Sequence, residues 1–209
     1  MAETPIGEVL LKNVRLSFAD IYKAAKERKD PKTGEMIQGK FKANGLMEKD
    51  TPDTNANMKK LKKASEEVKK AKWGEKVPKL KANQVCLRDG NEEDWDGYEG
   101  CWYISASNQT QPVLITRRKD RDGKWIPAKP GEIYSGCYVN LLVRLWAQDH
   151  PEYGKRLNAS LEAVQFVEHG EPFSGGGPID PNEKFAEIEA DDGEDMDAGD
   201  DDDGVSAFI

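Results

Sequence analysis

One stretch, YSGCYVNLLVRLWA from Tyr134 to Ala147, restricts the fold more than any other part of the chain. Every second residue from Cys137 onward, namely Val139, Leu141, Val143, Leu145 and Ala147, is apolar, and the residues between are Tyr138, Asn140, Leu142, Arg144 and Trp146. Side chains of a strand point alternately to its two faces, so this pattern predicts a long strand with one wholly apolar side facing a core. The other side carries aromatic, amide and guanidinium groups, which suits a barrel strand turned toward a ligand. The alternative is that Tyr138 and Trp146 pack under a loop or a helix.

Four further stretches fit around this strand. GEVLLKNVRLSF places Leu10, Val14, Leu16 and Phe18 on one side with Lys12, and GKFKANGLM alternates Phe41, Ala43, Gly45 and Met47 with Lys40, Lys42, Asn44 and Leu46. GCWYISAS offers Trp102, Ile104 and Ala106 to one face and Tyr103, Ser105 and Ser107 to the other, and LEAVQFVEHGEPF supplies a last strand. The segments DPKTG, RDGN, DRDG and KPGE carry the Pro, Gly and Asp that tight turns demand. Between the second and third strands, Met58, Leu61, Ala64, Val68 and Ala71 recur at three- and four-residue steps, which predicts an amphipathic helix over about 54–73. The sum is a mainly β protein: a small OB-fold-like barrel rather than a sandwich, with one inserted helix and an extended hairpin near 20–39. This domain is expected to span residues 1–173, followed over 174–209 by a Gly-rich linker and a disordered acidic tail.

Charge divides at the same boundary. The chain holds 31 basic and 39 acidic residues, a net −8 that argues against a nucleic-acid partner. That average conceals a split: residues 180–209 carry thirteen acidic residues and one lysine, a net −12, which leaves +4 on residues 1–179. A basic body with an acidic tail points to a nucleic-acid-binding domain and an interaction tail. Asp200, Asp201, Asp202 and Asp203 keep the tail solvated, so the apolar Phe208 and Ile209 behind them are presented as bait for a protein partner.

OB barrels hold single strands with a basic groove that tracks the backbone and with aromatic rings on which bases stack. The candidates for charge are Lys40, Lys42, Arg144 and the loop residues Arg117, Arg118, Lys119 and Arg121; those for stacking are Tyr103, Tyr138, Trp146 and Trp125. The segment 59–81 contains ten lysines against three glutamates, and serves equally as a solvated helix face or as a DNA contact.

Other chemistries lack their residues. Cys86, Cys101 and Cys137 are odd in number and far apart, with no C-x-x-C pair, and read as buried thiols in a reducing compartment. His150 and His169 stand away from any ligand grouping, so no metal site is expected. The acidic run lacks the glutamate that closes an EF-hand loop, SGGG fits no phosphate loop, and no nucleophile with its base stands out. No catalytic residues and no cofactors are therefore assigned. No stretch approaches a membrane span and the N-terminus lacks a secretion signal, so the expected location is the cytoplasm.

The ordered set CLRDGN, DGYEGCWYISAS, IYSGCYVNLLVRLWA and LEAVQFVEHGEPF, after VRLSF and a lysine-rich helix ending AKWG, resembles a bacteriophage family of single-stranded DNA-binding proteins first catalogued as a domain of unknown function. The resemblance runs from about Val14 to Phe173. It implies an OB-fold protein that coats single-stranded DNA during phage replication or recombination, in the host cell cytoplasm, with no catalytic residues to carry over. The ending DDDDGVSAFI is similar to the acidic, apolar-tipped tails with which such proteins recruit replication or recombination partners, although here Ile209 follows the phenylalanine. Two alternatives stay open: an acidic-tailed adaptor or DNA mimic that binds replication or host-defence proteins, and a coating protein that also binds double-stranded DNA. Oligomeric state is open as well.

Overall fold

A computed structural model describes residues 5–30 and 34–173. In chain order its elements are β1 (Glu8–Asp20), β2 (Arg28–Lys29), β3 (Met36–Ile37), β4 (Phe41–Glu48), α1 (Pro52–Trp73), β5 (Leu87–Asp89), β6 (Cys101–Asn108), β7 (Val113–Lys119), β8 (Trp125–Pro127), β9 (Tyr138–His150) and β10 (Gly154–Glu168). β2 and β3 pair as a small hairpin. The others form an eight-stranded sheet in the order β5-β6-β4-β1-β9-β10-β7-β8, antiparallel except where β7 runs parallel to β10. This sheet curls on itself without a continuous closing ladder: Val85 bridges to Leu157, and Asn108 Nδ2 donates to the Leu161 carbonyl at 3.2 Å. The result is the expected mainly β, OB-fold-like and partly open barrel, with α1 inserted between β4 and β6.

The alternation of β9 places Val139, Leu141 and Val143 fully inside, against Leu11, Val14 and Leu16 of β1, Ile104 of β6, and Leu161 and Val164 of β10. β1 departs from the simple alternation expected of it. Its pairing with β9 shifts between Leu11 and Val14, where Asn13 adopts φ 51°, and its pairing with β4 shifts between Ser17 and Asp20, beside Phe18 at φ 48°. Each bulge adds a residue and moves the following side chains to the opposite face. Val9 and Leu11 are therefore buried, whereas Leu10 and Phe18, expected to share one side with Val14 and Leu16, are 44% and 47% exposed.

The first bulge frees backbone groups, and the helix satisfies them. Asn57 of α1, 1% exposed, receives the Lys12 N–H on Oδ1 at 3.0 Å and donates Nδ2 to the Lys12 carbonyl at 2.8 Å. α1 begins two residues earlier than expected, because Thr51 caps it by accepting from Thr54 N and Pro52 suits its first turn. Leu61, Ala64 and Val68 are buried as predicted; Ala71, the last of the expected stripe, is exposed.

A second, smaller core lies on the opposite face of β4 and β6, where Leu46, Tyr98 and Tyr103 pack with Phe173 and Cys101. Of the three thiols, Cys86 and Cys137 are buried and Cys101 is half-buried. No helix among the described residues is long and apolar enough to cross a membrane. The Gly-rich linker and the acidic segment, with Asp200, Asp201, Asp202, Asp203, Phe208 and Ile209, lie outside the described residues.

Candidate nucleic-acid interface

The outward faces of β6, β9 and β10 meet where the barrel is open. Ser105 and Ser107 from β6, Trp146 and Gln148 from β9, and Arg156 and Asn158 from β10 line a depression of about 230 Å³, walled by Asn83–Cys86, Arg88 and Lys40. Lys40, Ser107 and Arg156 also line an adjoining depression of about 740 Å³ with Lys26, Arg28, Lys42 and Tyr153, so the two make one furrow. The alternation that sends Leu145, Leu157 and Ala159 inward sends Trp146, Arg156 and Asn158 out.

The furrow is basic, polar and partly aromatic. Lys26, Arg28, Lys40, Lys42, Arg88 and Arg156 line it, with Asp30 as the acidic residue of the lining. Asp30 is buried and accepts from the Tyr153 hydroxyl at 2.7 Å, which anchors that ring and holds its phenol above the usual tyrosine range. Arg156 is aimed by donating Nη2 to the Asn83 carbonyl at 2.7 Å, and Asn158 donates to Gln148 Oε1 at 2.9 Å. Trp146 stands 43% exposed on this floor. A strip of cations beside an exposed indole can hold a phosphate backbone and stack a base.

Of the residues expected at the site, the fold brings Lys40, Lys42 and Trp146 into this furrow. Arg117, Arg118, Lys119, Arg121 and Trp125 line none of it; they sit on the exposed β7–β8 hairpin, where Lys119 Nζ lies 4.7 Å from the Trp125 ring centroid. Asp120 Oδ1 holds that turn by accepting from the N–H groups of Asp122 and Lys124 at 2.9 and 2.8 Å. Arg144 is exposed and is answered by Glu8 at 3.8 Å and Glu162 at 3.7 Å. Tyr138 lines a different depression, where Arg15 and Lys49 are outnumbered by Glu48, Asp50, Asp53 and Glu99.

Tyr103 requires a correction, because the ring expected to stack bases is 1% exposed. The segment between β5 and β6 folds over the outer face of β6 there, so Tyr103 packs edge-to-face on Tyr98 at 5.0 Å and donates its hydroxyl to Glu93. Burial, with that bond to Glu93, pushes its phenol up to about 12. Conversely, Arg88, Arg156, Tyr153, Lys26 and Arg28 escaped the sequence reading. The signal for Arg156 was available in YGKRLNAS, where Arg156 and Asn158 alternate with Leu157 and Ala159.

Comparison with known proteins bears on this geometry. The family model described as Enterobacter phage Enc34, ssDNA-binding protein, matches residues 7–196. Putative protein p50 of Acyrthosiphon pisum secondary endosymbiont phage 1 is 37% identical over 179 residues, covering 81% of this chain and 88% of that protein. Among solved structures, the single-stranded DNA-binding protein from bacteriophage Enc34 in complex with ssDNA superposes with a TM-score of 0.63 at 28% identity, over 83% of this chain and 97% of that one. Its C-terminal truncation gives 0.62 at 30% identity, over 82% and 96%. The single-stranded DNA-binding protein gp2.5 of bacteriophage T7 shares the fold, with a TM-score of 0.50 at 16% identity over 91% and 98%.

Proposed function

The chain belongs to the family of the Enterobacter phage Enc34 ssDNA-binding protein, and from that premise we propose that it coats single-stranded DNA through the furrow between β6, β9 and β10. The observation that carries the assignment of the site is one basic strip with an exposed indole on its floor. Lys40, Lys42, Arg88 and Arg156 take the phosphates, and Trp146, with Tyr153 beyond it, takes the bases. Stacking engages the π-face that every base has, so binding tolerates sequence. The β7–β8 hairpin, with Arg117, Arg118, Lys119, Arg121 and Trp125, extends the path as a second basic arm.

The role is binding without catalysis, in the cytoplasm of the phage host, during replication or recombination. Residues 1–173 form the binding domain and 174–209 the linker and tail. With −12 on residues 180–209 against +4 on the rest, the tail competes with DNA phosphates at high effective concentration. Displacement by DNA frees Phe208 and Ile209 for replication or recombination proteins.

The test is a polarisation titration of the full chain with single- and double-stranded oligonucleotides of one length across a salt series. Single strands are expected to bind tighter, with log affinity falling against log salt by roughly 0.7 per phosphate contact. Equal affinity for the two forms assigns a general DNA-coating role instead, and a flat salt response overturns the basic furrow.

A further inference from the structure

On the helix side of the barrel, α1 and the strands it faces leave an open apolar groove of about 530 Å³. Met58 and Leu61 form one wall, Val85 and Leu87 the other, and Leu145 and Leu157 the floor. Lys59, Lys62 and Lys69 stand along the rim. These lysines surround an apolar floor, whereas those of the furrow stand among polar side chains.

The same chain carries a surface of complementary character. In the loop before β6, Trp95 is 42% exposed and meets the equally uncovered Phe18 edge-to-face at 5.1 Å, with Glu92, Asp94, Asp96 and Glu99 exposed around them. Trp95 is also held edge-on against Tyr98 and Tyr103 of its own chain at 5.1 and 6.1 Å, and loop and groove share no lining residue. The loop is thus tied to its own barrel, facing a depression lined by Asn91, Glu93 and its acidic neighbours.

We propose that the acid-flanked Trp95–Phe18 face of one copy docks on the lysine-rimmed groove of a second copy. The two surfaces differ, so the contact is head-to-tail and builds a row of copies rather than a closed dimer. On the reading that the chain coats single-stranded DNA, such a row is the geometry of cooperative coating. Val85 and Cys86 line both the groove and the furrow, so a docked neighbour touches the wall of the DNA path.

The test compares the full chain and its variants on a short oligonucleotide that holds one copy and on a long one that holds several. Wild type is expected to fill the long strand cooperatively. Trp95→Ala and the pair Lys62→Glu with Lys69→Glu should each cut that cooperativity at least tenfold, while affinity for the short strand stays within twofold. Mixing the Lys62→Glu, Lys69→Glu chain with an Asp94→Lys, Asp96→Lys chain should restore alternating contacts and with them cooperativity. Non-cooperative filling by wild type, variants as cooperative as wild type, or cooperativity that depends on residues 180–209 and not on Trp95 would each overturn the proposal. Should wild type bind neither oligonucleotide, the coating reading fails, and sedimentation equilibrium without DNA decides the contact. Concentration-dependent association lost in Trp95→Ala supports it, and a monomer at every concentration overturns it.

Discussion

Trp146 and Tyr103 are both aromatic residues on the outward face of a strand, and they have opposite fates. Trp146 stays 43% exposed beside Arg156 and Lys40, whereas Tyr103 is sealed under the loop that carries Trp95. Alternation says which way a side chain points but not what covers it, so the sequence could not separate the ring that stays exposed from the one that is sealed. Replacing Trp146 by Ala is expected to weaken binding of a short single strand by about 1–3 kcal/mol, roughly 5- to 150-fold, without lowering the melting temperature. Tyr103→Phe is the comparison: it removes the bond to Glu93 and the 3.5 Å contact from Arg88 Nη1 and lowers thermal stability, while its loss of affinity is expected to stay well below that of Trp146→Ala.

Among elements, β9 and α1 were readable because one period runs through each. β1 was not, since its two bulges break the period at Asn13 and Phe18, and nothing local in GEVLLKNVRLSF announces them. The β7–β8 hairpin was read as a basic loop because its residues are largely exposed and its partner strand, β10, is distant in sequence. The end of the described chain is positioned by glycines. Gly136 has φ +115°, and a Cβ there would stand 2.2 Å from the Glu171 carbonyl oxygen; one on Gly170 would stand 2.3 Å from the Gly136 oxygen. Backbone crosses backbone at this point, so neither side can yield cheaply. Gly136→Ala is expected to cost about 1–3 kcal/mol, a fall of roughly 3–10 °C in a thermal melt, with the Arg15 bonds to the Gly136 and Glu171 carbonyls loosened as well.

Across the whole molecule the controlling quantity is the charge division between residues 1–179 and 180–209. Removing residues 180–209 is expected to tighten binding to a short single strand at low salt, with the gain shrinking as ionic strength rises, because competition between charges is screened. Unchanged or weaker binding of the shortened chain in the same titration would exclude competition by the tail. This division is fully legible in the sequence, since charge is additive and needs no fold, and so were the mainly β class, the approximate positions of five strands and the helix, which rest on local periodicity; the bulges of β1 and the first half of β10 were not. Only the tertiary structure decided which polar faces share a surface. The furrow draws Lys40, Arg88, Trp146 and Arg156 from distant segments, and their meeting depends on how the sheet curls and where β1 bulges, which no local pattern encodes.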